Sequence, residues 1–421
     1  MFDEAFVTRH REELKSLFEY YEKELLEDII PFWESRIVDN EYGGYFNCFD
    51  RKGRLFKDVK PGWFVGRNLY TFSYLYNVVE KRKEWLDIAA EGVKWMEKYA
   101  YRGNGRFNSS MARDGSVTDA RLNIFNDVFA VKGYYEYLVA LGEARTAEQL
   151  EYAAELTDIL FANAKDIALL EEEGFSSRFQ NHAVNFMTLL TALEGRRLFG
   201  ERYAEELNER VHNALYMFAN GDYKAVFENV GIDGKPLLEE QGRIMDPGHA
   251  LESCWFSLRA GMECGNKAIL KRAEEVLDWI IDRGYDEENG GFILLLDVDK
   301  DVPEDSQRTQ NYAGTIADWS DKVWWAQAEG LNALALSALL NGNERHFEYF
   351  KKLHDYVDKN FRDYEYGEWY SILTHENKML SDNKGFEGKG AYHVPRCVIL
   401  LYDLFKRCAS NEINRTGDFE K

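Results

Sequence analysis

One supersecondary pattern recurs along the chain and limits its possible folds more than any other feature. An aromatic-rich strand, a short polar turn and a return strand follow one another, and alternating apolar and polar residues flank turns such as Asp114-Gly115. This combination is typical of a β-hairpin. The repeats lie at 43–56, 105–117, 223–237, 290–301 and 367–380, with a degenerate sixth near Gly174-Phe175-Ser176.

Between these hairpins the apolar period becomes helical. In 66–82, for example, Leu69, Phe72, Tyr76 and Val79 fall on one helical face. About twelve such segments are predicted, near 5–36, 66–82, 84–101, 121–142, 146–167, 178–199, 201–219, 247–264, 266–283, 320–342, 344–361 and 392–409.

Twelve helices separated by six hairpin loops indicate six helix pairs. A closed ring of helix pairs buries both faces of its inner helices and needs no end caps, unlike an open solenoid. No Pro/Gly/Ser linker or abrupt change of composition divides the chain. We therefore expect an all-α fold, a single (α/α)6-barrel domain over residues 1–421, with the β-hairpin loops at one mouth around a central pocket. An open helical solenoid that binds proteins is the alternative.

The charge balance argues against several function classes. The chain carries 52 Lys+Arg and 74 Asp+Glu, a formal charge of −22. Clustered basic residues, which phosphate contacts and anionic membranes require, are lacking, so we expect no nucleic-acid partner and no membrane partner. No apolar run is long enough to span a bilayer, and the N-terminal sequence lacks the apolar core of a secretory signal. The 5 cysteines are odd in number and never spaced CxxC, which favours a reduced, cytoplasmic location.

Aromatic residues are the compositional outlier, at 15% of the chain. They suit a large helical core, and they equally suit carbohydrate binding, because a sugar ring can stack its C–H face on an aromatic plane. The phosphate-binding GxxxxGK[ST], the dinucleotide GxGxxG, the hydrolase GxSxG and the metalloprotease HExxH motifs do not occur.

Two of the 8 histidines open predicted inner helices. In Pro247-Gly248-His249-Ala250-Leu251-Glu252 the proline occupies its favoured helix-start position, and Glu252 lies on the same face as His249. A carboxylate there can fix the imidazole tautomer and raise its basicity. His393 begins the other helix, in the segment Tyr392-His393-Val394-Pro395-Arg396. Metal binding by His249 and Glu252 is the competing hypothesis, but no further His or Cys completes a ligand set, so we expect no metal.

Two histidines facing each other across a sugar-sized pocket suggest a proton-transfer reaction. Histidine titrates near neutrality and can both accept and donate a proton. In an opened reducing sugar the C1 aldehyde acidifies C2–H, so one histidine could remove that proton and the other could protonate the opposite face. The developing oxyanion needs a cation, and Arg67, flanked by Trp63, Phe64 and Tyr70, is the best candidate.

At these residues the chain resembles the N-acylglucosamine 2-epimerase family, which also contains cellobiose 2-epimerases and mannose isomerases. The resemblance runs from near the start to YHVPR near the end. Its motifs are Trp63–Arg67 (WFVGR), Pro247–Glu252 (PGHALE), Lys322–Glu329 (KVWWAQAE), Tyr366–Tyr370 (YGEWY) and Tyr392–Arg396 (YHVPR).

The resemblance implies an (α/α)6 barrel, a cofactor-free and metal-free two-histidine reaction, and a homodimer. It makes His249 and His393 the acid/base pair, with Glu252 orienting His249. Arg67 would contact substrate oxygens, Trp325 would stack on the sugar and Glu329 would hydrogen-bond within the site. The further candidate substrate-binding residues are Asn181, Asn185, Trp63, Phe386 and Tyr392.

The segment Asn181–Asn185 differs from the cellobiose branch of the family. There a third histidine is typical, and by position Asn185 replaces it, while His182 follows Asn181 directly and would point elsewhere. The stretches VFENVGIDGKPL and HVPRC resemble the N-acylglucosamine branch instead.

We therefore expect an isomerase that interconverts N-acyl-D-glucosamine and N-acyl-D-mannosamine through an enediol(ate). The same fold and chemistry leave open a mannose/glucose or cellobiose 2-epimerase, or a mannose–fructose aldose–ketose isomerase. A glycoside hydrolase using carboxylates such as Asp127, Glu252 and Glu329, and a non-catalytic sugar-binding protein, are the alternatives from other classes.

Overall fold

Long α-helices make up most of the fold. The structure, a computed structural model, describes residues 2–299 and 309–410. Its α-helices are α1 (Glu4–Arg9), α2 (Arg11–Lys23), α3 (Ile30–Glu34), α4 (Gly62–Val78), α5 (Lys83–Trp95), α6 (Ile124–Leu141), α7 (Ala147–Asn163), α8 (Ile167–Glu172), α9 (His182–Phe199), α10 (Ala204–His212), α11 (Pro247–Glu263), α12 (Lys267–Gly284), α13 (Trp324–Asn341), α14 (Glu344–Asn360) and α15 (His393–Ala409). Segments of π-helix at Glu24–Ile29, Met96–Ala100 and Asn213–Phe218 continue α2, α5 and α10.

Six of these helices close into an inner ring. The helices α4, α6, α9, α11, α13 and α15 each contact the next in this order, and α15 contacts α4. Each packs outward against a partner, which is α5, α7, α10, α12, α14 or α2 respectively. The inner helices are buried on almost every side, whereas the outer helices bury one amphipathic face. The predicted (α/α)6 barrel is confirmed.

Three of the six inner helices begin at a residue whose side chain caps the first turn. The side chains of Asn123, Asn181 and Asp246 accept hydrogen bonds from the first-turn backbone N–H groups of α6, α9 and α11. The predicted boundaries differ from the observed ones by up to four residues. Helix α4, predicted over 66–82, is displaced by four residues at both ends and begins directly after Pro61.

Two glycines bring α4 and α6 into backbone contact. A Cβ on Gly66 would lie 2.2 Å from the Phe129 carbonyl oxygen, and one on Gly133 would lie 2.5 Å from the Gly66 carbonyl oxygen. No residue with a side chain fits at either position without displacing a helix backbone. This close approach fixes the second turn of α4, which carries Arg67, against α6.

The loops before and after the helices contain short antiparallel strands. They are β1 (Cys48–Phe49), β2 (Leu55–Lys57), β3 (Lys60–Pro61), β4 (Tyr101–Gly103), β5 (Arg106–Phe107), β6 (Ser110–Met111), β7 (Val117–Asp119), β8 (Phe179–Asn181), β9 (Ala219–Asn220), β10 (Ala225–Val226), β11 (Asn229–Gly231), β12 (Ile244–Met245), β13 (Leu296–Asp297), β14 (Thr309–Tyr312), β15 (Thr315–Asp318), β16 (Lys322–Val323), β17 (Ile372–Leu373) and β18 (Met379–Ser381). They pair as β1–β2, β4–β5, β3–β6–β7, β8–β11, β9–β10, β12–β13, β14–β15 and β16–β17–β18.

Three of the predicted hairpins are confirmed, as β1–β2, β6–β7 and β17–β18. The segments 223–237 and 290–301 pair differently. Their strands β11 and β13 pair with β8 and β12 from neighbouring loops rather than with their own return strands, so they link successive units of the ring. The end of the second segment, residues 300–301, lies outside the described residues.

A further hairpin was not predicted. Strands β14 and β15 join through a turn in which both Ala313 (φ 49°) and Gly314 (φ 100°) are left-handed. This is the type I′ geometry that matches strand twist, formed here by Ala-Gly instead of the usual Asn-Gly. Within the described residues, no helix combines the length and the apolar character needed to cross a bilayer.

Candidate active site

A cavity of about 480 Å³ lies at the N-terminal ends of the inner helices. Helices α4, α11, α13 and α15 supply its deep walls, and the β14–β15 hairpin closes one side with Gln310–Ala313. Six predicted site residues line it: Trp63, Arg67, His249, Glu252, Trp325 and His393. The volume lies within the range of small-molecule sites.

Trp325 connects the two histidines. Its ring centroid is 5.1 Å from that of His249 and 5.8 Å from that of His393, at tilted angles of 39° and 43°. The imidazoles therefore lie no more than about 11 Å apart across one indole, within reach of opposite sides of one sugar. A Cβ on Gly248 would lie 2.3 Å from the Trp325 ring, so glycine at this position lets the indole pack there.

His249 is held in the first turn of α11 by two carboxylates. Its Nδ1 lies 3.0 Å from Glu228 Oε1 and 3.5 Å from Asp246 Oδ2, while its backbone N–H donates to Asp246 Oδ1 at 3.1 Å. Burial opposes a charge on His249, but the Asp246 and Glu228 carboxylates outweigh burial and raise its pKa to about 10. With Nδ1 occupied, a protonated Nε2 is left for the cavity.

His393 has the opposite electrostatic environment. Its Nδ1 lies 2.7 Å from Glu329 Oε1, and the residue is 7% exposed. Burial, together with the positive charges of Arg67 and Arg396, holds the pKa of His393 well below its usual range. The cavity thus pairs a charged imidazole with a neutral one, an arrangement that assigns acid and base roles at neutral pH.

Arg396 joins the two buried carboxylates at the base of the cavity. Its Nη2 donates to Glu252 Oε1 at 2.7 Å and to Glu329 Oε1 at 2.6 Å, and its Nη1 donates to Tyr392 Oη at 2.7 Å. The expectation that Glu252 orients His249 therefore needs correction: Glu252 pairs with Arg396, and Glu228 takes the predicted position beside Nδ1 of His249.

The Arg396 guanidinium also occupies the cluster of side chains that could otherwise bind a metal ion. Oxygen and nitrogen atoms of Glu252, Glu329 and His393 lie within 4.8 Å of one another. Arg396 Nη2 already bonds both carboxylates there and supplies the compensating positive charge. These three side chains therefore fit the Arg396 guanidinium better than a metal ion.

Arg67 lies against four aromatic rings on the other side of the cavity. Its guanidinium carbon is 4.1 Å from the centroid of Phe129 and 5.0 Å from that of Tyr392. Its buried Nε has no hydrogen-bond partner among the described residues. Burial lowers the pKa of Arg67 to about 10. A guanidinium held by ring faces keeps its N–H donors available to a ligand oxygen.

Comparison with known proteins identifies the family. The family model described as N-acylglucosamine 2-epimerase (GlcNAc 2-epimerase) matches residues 44–397. The chain belongs to this family. Its members include carbohydrate epimerases and isomerases, which are enzymes of the isomerase class.

Relatives share nearly the whole length. The chain is 30% identical to the N-acylglucosamine 2-epimerase of Mus musculus over 407 residues, which are 94% of this chain and 93% of that protein. It is 28% identical to the enzyme of Homo sapiens, over 94% and 92%. The structure of a cellobiose 2-epimerase from Spirochaeta thermophila DSM 6192 superposes with a TM-score of 0.78 at 19% identity, covering 94% and 98% of the two chains, and so shares the fold.

Five predicted binding residues lie outside the cavity of this epimerase-family protein. Glu329 is fully buried behind it, where it contacts His393 and Arg396. Asn181 caps α9, and Asn185 Nδ2 donates to the Arg210 carbonyl oxygen at 3.0 Å, so both face a separate cavity behind α9. Phe386 packs edge-on against Trp324 at 5.5 Å, while its neighbours 387–388 line the site. Tyr392 is fully buried beneath it.

His182, which the sequence predicts to point away from the site, does not line the cavity and lies behind Glu228. Its Nδ1 lies 3.7 Å from Glu228 Oε2, on the side opposite His249. Burial alone would raise the pKa of Glu228, but the contacts with His249 and His182 lower it to about 2. Glu228 therefore remains a carboxylate between two imidazoles.

Two contributors were missed by sequence reasoning. Glu228 precedes β11, 21 residues before His249, and its backbone N–H donates to the Ile244 carbonyl oxygen at 2.8 Å, close to the start of α11, which brings its carboxylate beside Nδ1. Arg396 stands in the YHVPR motif, but its role becomes visible only when α11 and α13 present Glu252 and Glu329 to it.

Proposed function

We propose that the protein is a 2-epimerase that interconverts N-acyl-D-glucosamine and N-acyl-D-mannosamine through a ring-opened enediol(ate). The observation that carries the chemistry is the pair of imidazoles with opposite pKa shifts, both in contact with Trp325 in one cavity. The choice of substrate rests on the N-acylglucosamine 2-epimerases of mouse and human, which match the chain over 94% of its length.

The resting protonation states set the first half of the reaction. Neutral His393 removes the C2 proton of one epimer, and Glu329 at its Nδ1 stabilises the imidazolium that forms. The electron pair of the broken C2–H bond forms the C1=C2 double bond, and the negative charge moves to O1. Arg67, whose guanidinium has no carboxylate partner among the described residues, stabilises that oxyanion.

The second half uses His249. As an imidazolium it donates its Nε2 proton to the opposite face of C2, which regenerates the C1 carbonyl with inverted C2. His249 then ends neutral and His393 ends protonated, and exchange with solvent restores the starting states. In the reverse direction the roles exchange, as a two-base epimerase requires. Solvent hydrogen must therefore appear at C2 of the product.

Incubation with candidate sugars in heavy water tests the proposal. N-acetylmannosamine, mannose and cellobiose are each mixed with the protein and followed by proton NMR. We expect conversion of N-acetylmannosamine to N-acetylglucosamine with deuterium at C2. Conversion of mannose or cellobiose alone would reassign the substrate, formation of a ketose would make the enzyme an isomerase, and release of glucose from cellobiose would indicate a hydrolase.

Variants separate this reaction from contaminating activity. His249→Ala is expected to lower turnover by at least about a hundredfold, the usual contribution of a general acid–base. His212→Ala is the matched control, because His212 is an exposed histidine on α10 that contacts Tyr216. Equal loss in both variants would contradict the role of His249.

We also propose a single barrel domain, a homodimer and a cytoplasmic location. The cytoplasmic location is supported by five free cysteines, of which four are buried, since reduced thiols are typical of that compartment. The homodimer follows from the family resemblance, and the single domain is supported by the closed ring of inner helices. Sedimentation should give twice the chain mass of 49.1 kDa, and a monomer at working concentrations would contradict the dimer.

A further inference from the structure

A lysine lies buried beneath the active-site cavity. Lys132, in the third turn of α6, is 1% exposed, and its Nζ lies 3.0 Å from Tyr392 Oη. It forms no ion pair with any described residue. Its other neighbours are the rings of Phe129, Tyr70 and Phe256, with centroids 5.5–5.9 Å from Nζ. A core lysine without a carboxylate partner is costly and therefore needs a reason.

The hydrogen bonds of Tyr392 provide that reason. A tyrosine hydroxyl has one proton to donate and lone pairs that accept. Arg396 Nη1, at 2.7 Å, can only donate, so Oη must accept from it. Among the described residues, the other polar neighbour of Oη is Lys132 Nζ. A neutral amine there can accept the tyrosine proton, whereas an ammonium would leave that proton without an acceptor among the described residues.

Charged groups from four helices surround Lys132. Arg67 approaches from α4, Glu194 from α9, Glu252 from α11 and Arg396 from α15. Burial, opposed by the two carboxylates and reinforced by the two arginines, lowers the pKa of Lys132 to about 7. The neutral amine that the hydrogen bonds require is thus accessible at neutral pH.

We propose that Lys132 is a positioning residue for the reaction, holding the Tyr392 hydroxyl so that Arg396 keeps Glu329 on Nδ1 of His393. Tyr392 Oη orients Nη1 of Arg396, and Nη2 of the same guanidinium bonds Glu329, which in turn bonds His393. Lys132 does not line the cavity, so it acts only through this chain. The inference rests on the two-histidine reaction proposed above.

A double-mutant cycle tests the chain of contacts. Lys132→Met and Tyr392→Phe should each lower kcat by about tenfold or more, the scale seen for partners of reacting groups, with little change in KM. Because Lys132 acts through the hydroxyl, the double variant should be no slower than Tyr392→Phe alone. Losses that multiply would overturn the proposal, since they would mean that the two residues act independently.

The pH profile supplies a reading that a purely structural role would not change. In the unmodified enzyme, kcat should fall as the pH drops through about 7, because Lys132 becomes charged. Lys132→Met should lose that ionisation. It should keep the fall in kcat above pH 9, which comes from deprotonation of His249. An unchanged profile would overturn the proposal, and Tyr392→Phe provides the same comparison if Lys132→Met fails to fold.

Direct titration separates this proposal from the proposed function. With lysines labelled at Cε with carbon-13, one NMR signal absent from Lys132→Met should titrate near pH 7. A signal titrating near 10 would contradict a neutral Lys132 even in an active enzyme. Conversely, a signal near 7 in a protein that converts no sugar would leave the lysine assignment intact and refute the function.

Discussion

Glu228→Gln should move the alkaline limb of the epimerase pH profile. The carboxylate lies 3.0 Å from Nδ1 of His249 and contributes to its pKa of about 10. An opposite charge at this distance typically shifts a pKa by about 1–3 units. Its removal should therefore bring the pKa of His249 from about 10 to roughly 7–9, while Asp246 retains part of the shift. Glutamine preserves the shape and one hydrogen bond.

The lowered pKa of His249 predicts a loss of kcat/KM that depends on pH. The reaction needs a protonated His249. In the unmodified enzyme the pH lies below the His249 pKa of about 10 over most of the assayed range, so this histidine stays protonated. With a pKa near 8, only about a tenth of the histidine stays protonated at pH 9, so kcat/KM should fall about tenfold there and change little at pH 6. Initial rates with N-acetylmannosamine across pH 5–10 measure this.

Glu239→Gln is the control for the loss of one acidic charge in the same region. Glu239 is exposed and pairs with Arg178 at 2.6 Å, away from the cavity, so its profile should match that of the unmodified enzyme. If Glu228→Gln also keeps the original alkaline limb, the carboxylate at Nδ1 does not hold His249 in its charged form and the assignment of the acid is wrong.

Three further predictions concern the rest of the site. His393→Ala should lower turnover by about a hundredfold or more, measured as the rate of C2 inversion, and a near-normal rate would remove it from the mechanism. Arg67→Ala should impair both binding and turnover, because in the proposed mechanism Arg67 contacts a sugar oxygen in the bound substrate and in the transition state; unchanged KM and kcat would place the oxyanion contact elsewhere. Gly66→Ala should destabilise the fold by about 1–3 kcal/mol in urea unfolding, because its Cβ would lie 2.2 Å from a carbonyl oxygen. Gly221→Ala, whose Cβ would meet an ordinary 3.8 Å contact, should lose much less, and an equal loss would contradict the packing argument.

The barrel was predictable because its signals are local. Helical period and capping residues such as Asp246 mark the inner helices directly in the sequence. Strand pairing is less local: β11 and β13 pair with loops that precede them by many residues, so their partners follow from the closed ring rather than from their own turns. The β14–β15 hairpin was missed because its Ala313-Gly314 turn lacks the usual Asn-Gly signal.

The site residues also fall into those that local sequence signals predict and those that depend on tertiary contacts. The two histidines, Arg67 and Trp325 stand at helix starts, and the fold brings them to one cavity. Their partners depend on tertiary contacts instead. The i, i+3 spacing suggested Glu252 for His249, yet Glu252 turns to Arg396 because that buried guanidinium needs a carboxylate. Spacing along a helix shows which residues share a face, but it does not show which partner competes for them.

Deuterium exchange in single-histidine variants tests the central claim most directly. His249→Gln and His393→Gln are each incubated in heavy water with N-acetylmannosamine and, separately, with N-acetylglucosamine, and C2–H is followed by proton NMR. If each imidazole serves one face of C2, each variant should exchange the C2 hydrogen of one epimer without inverting it, and the two variants should prefer opposite epimers. Exchange of both epimers at similar rates by either variant, or continued inversion with one histidine, would contradict the two-histidine account.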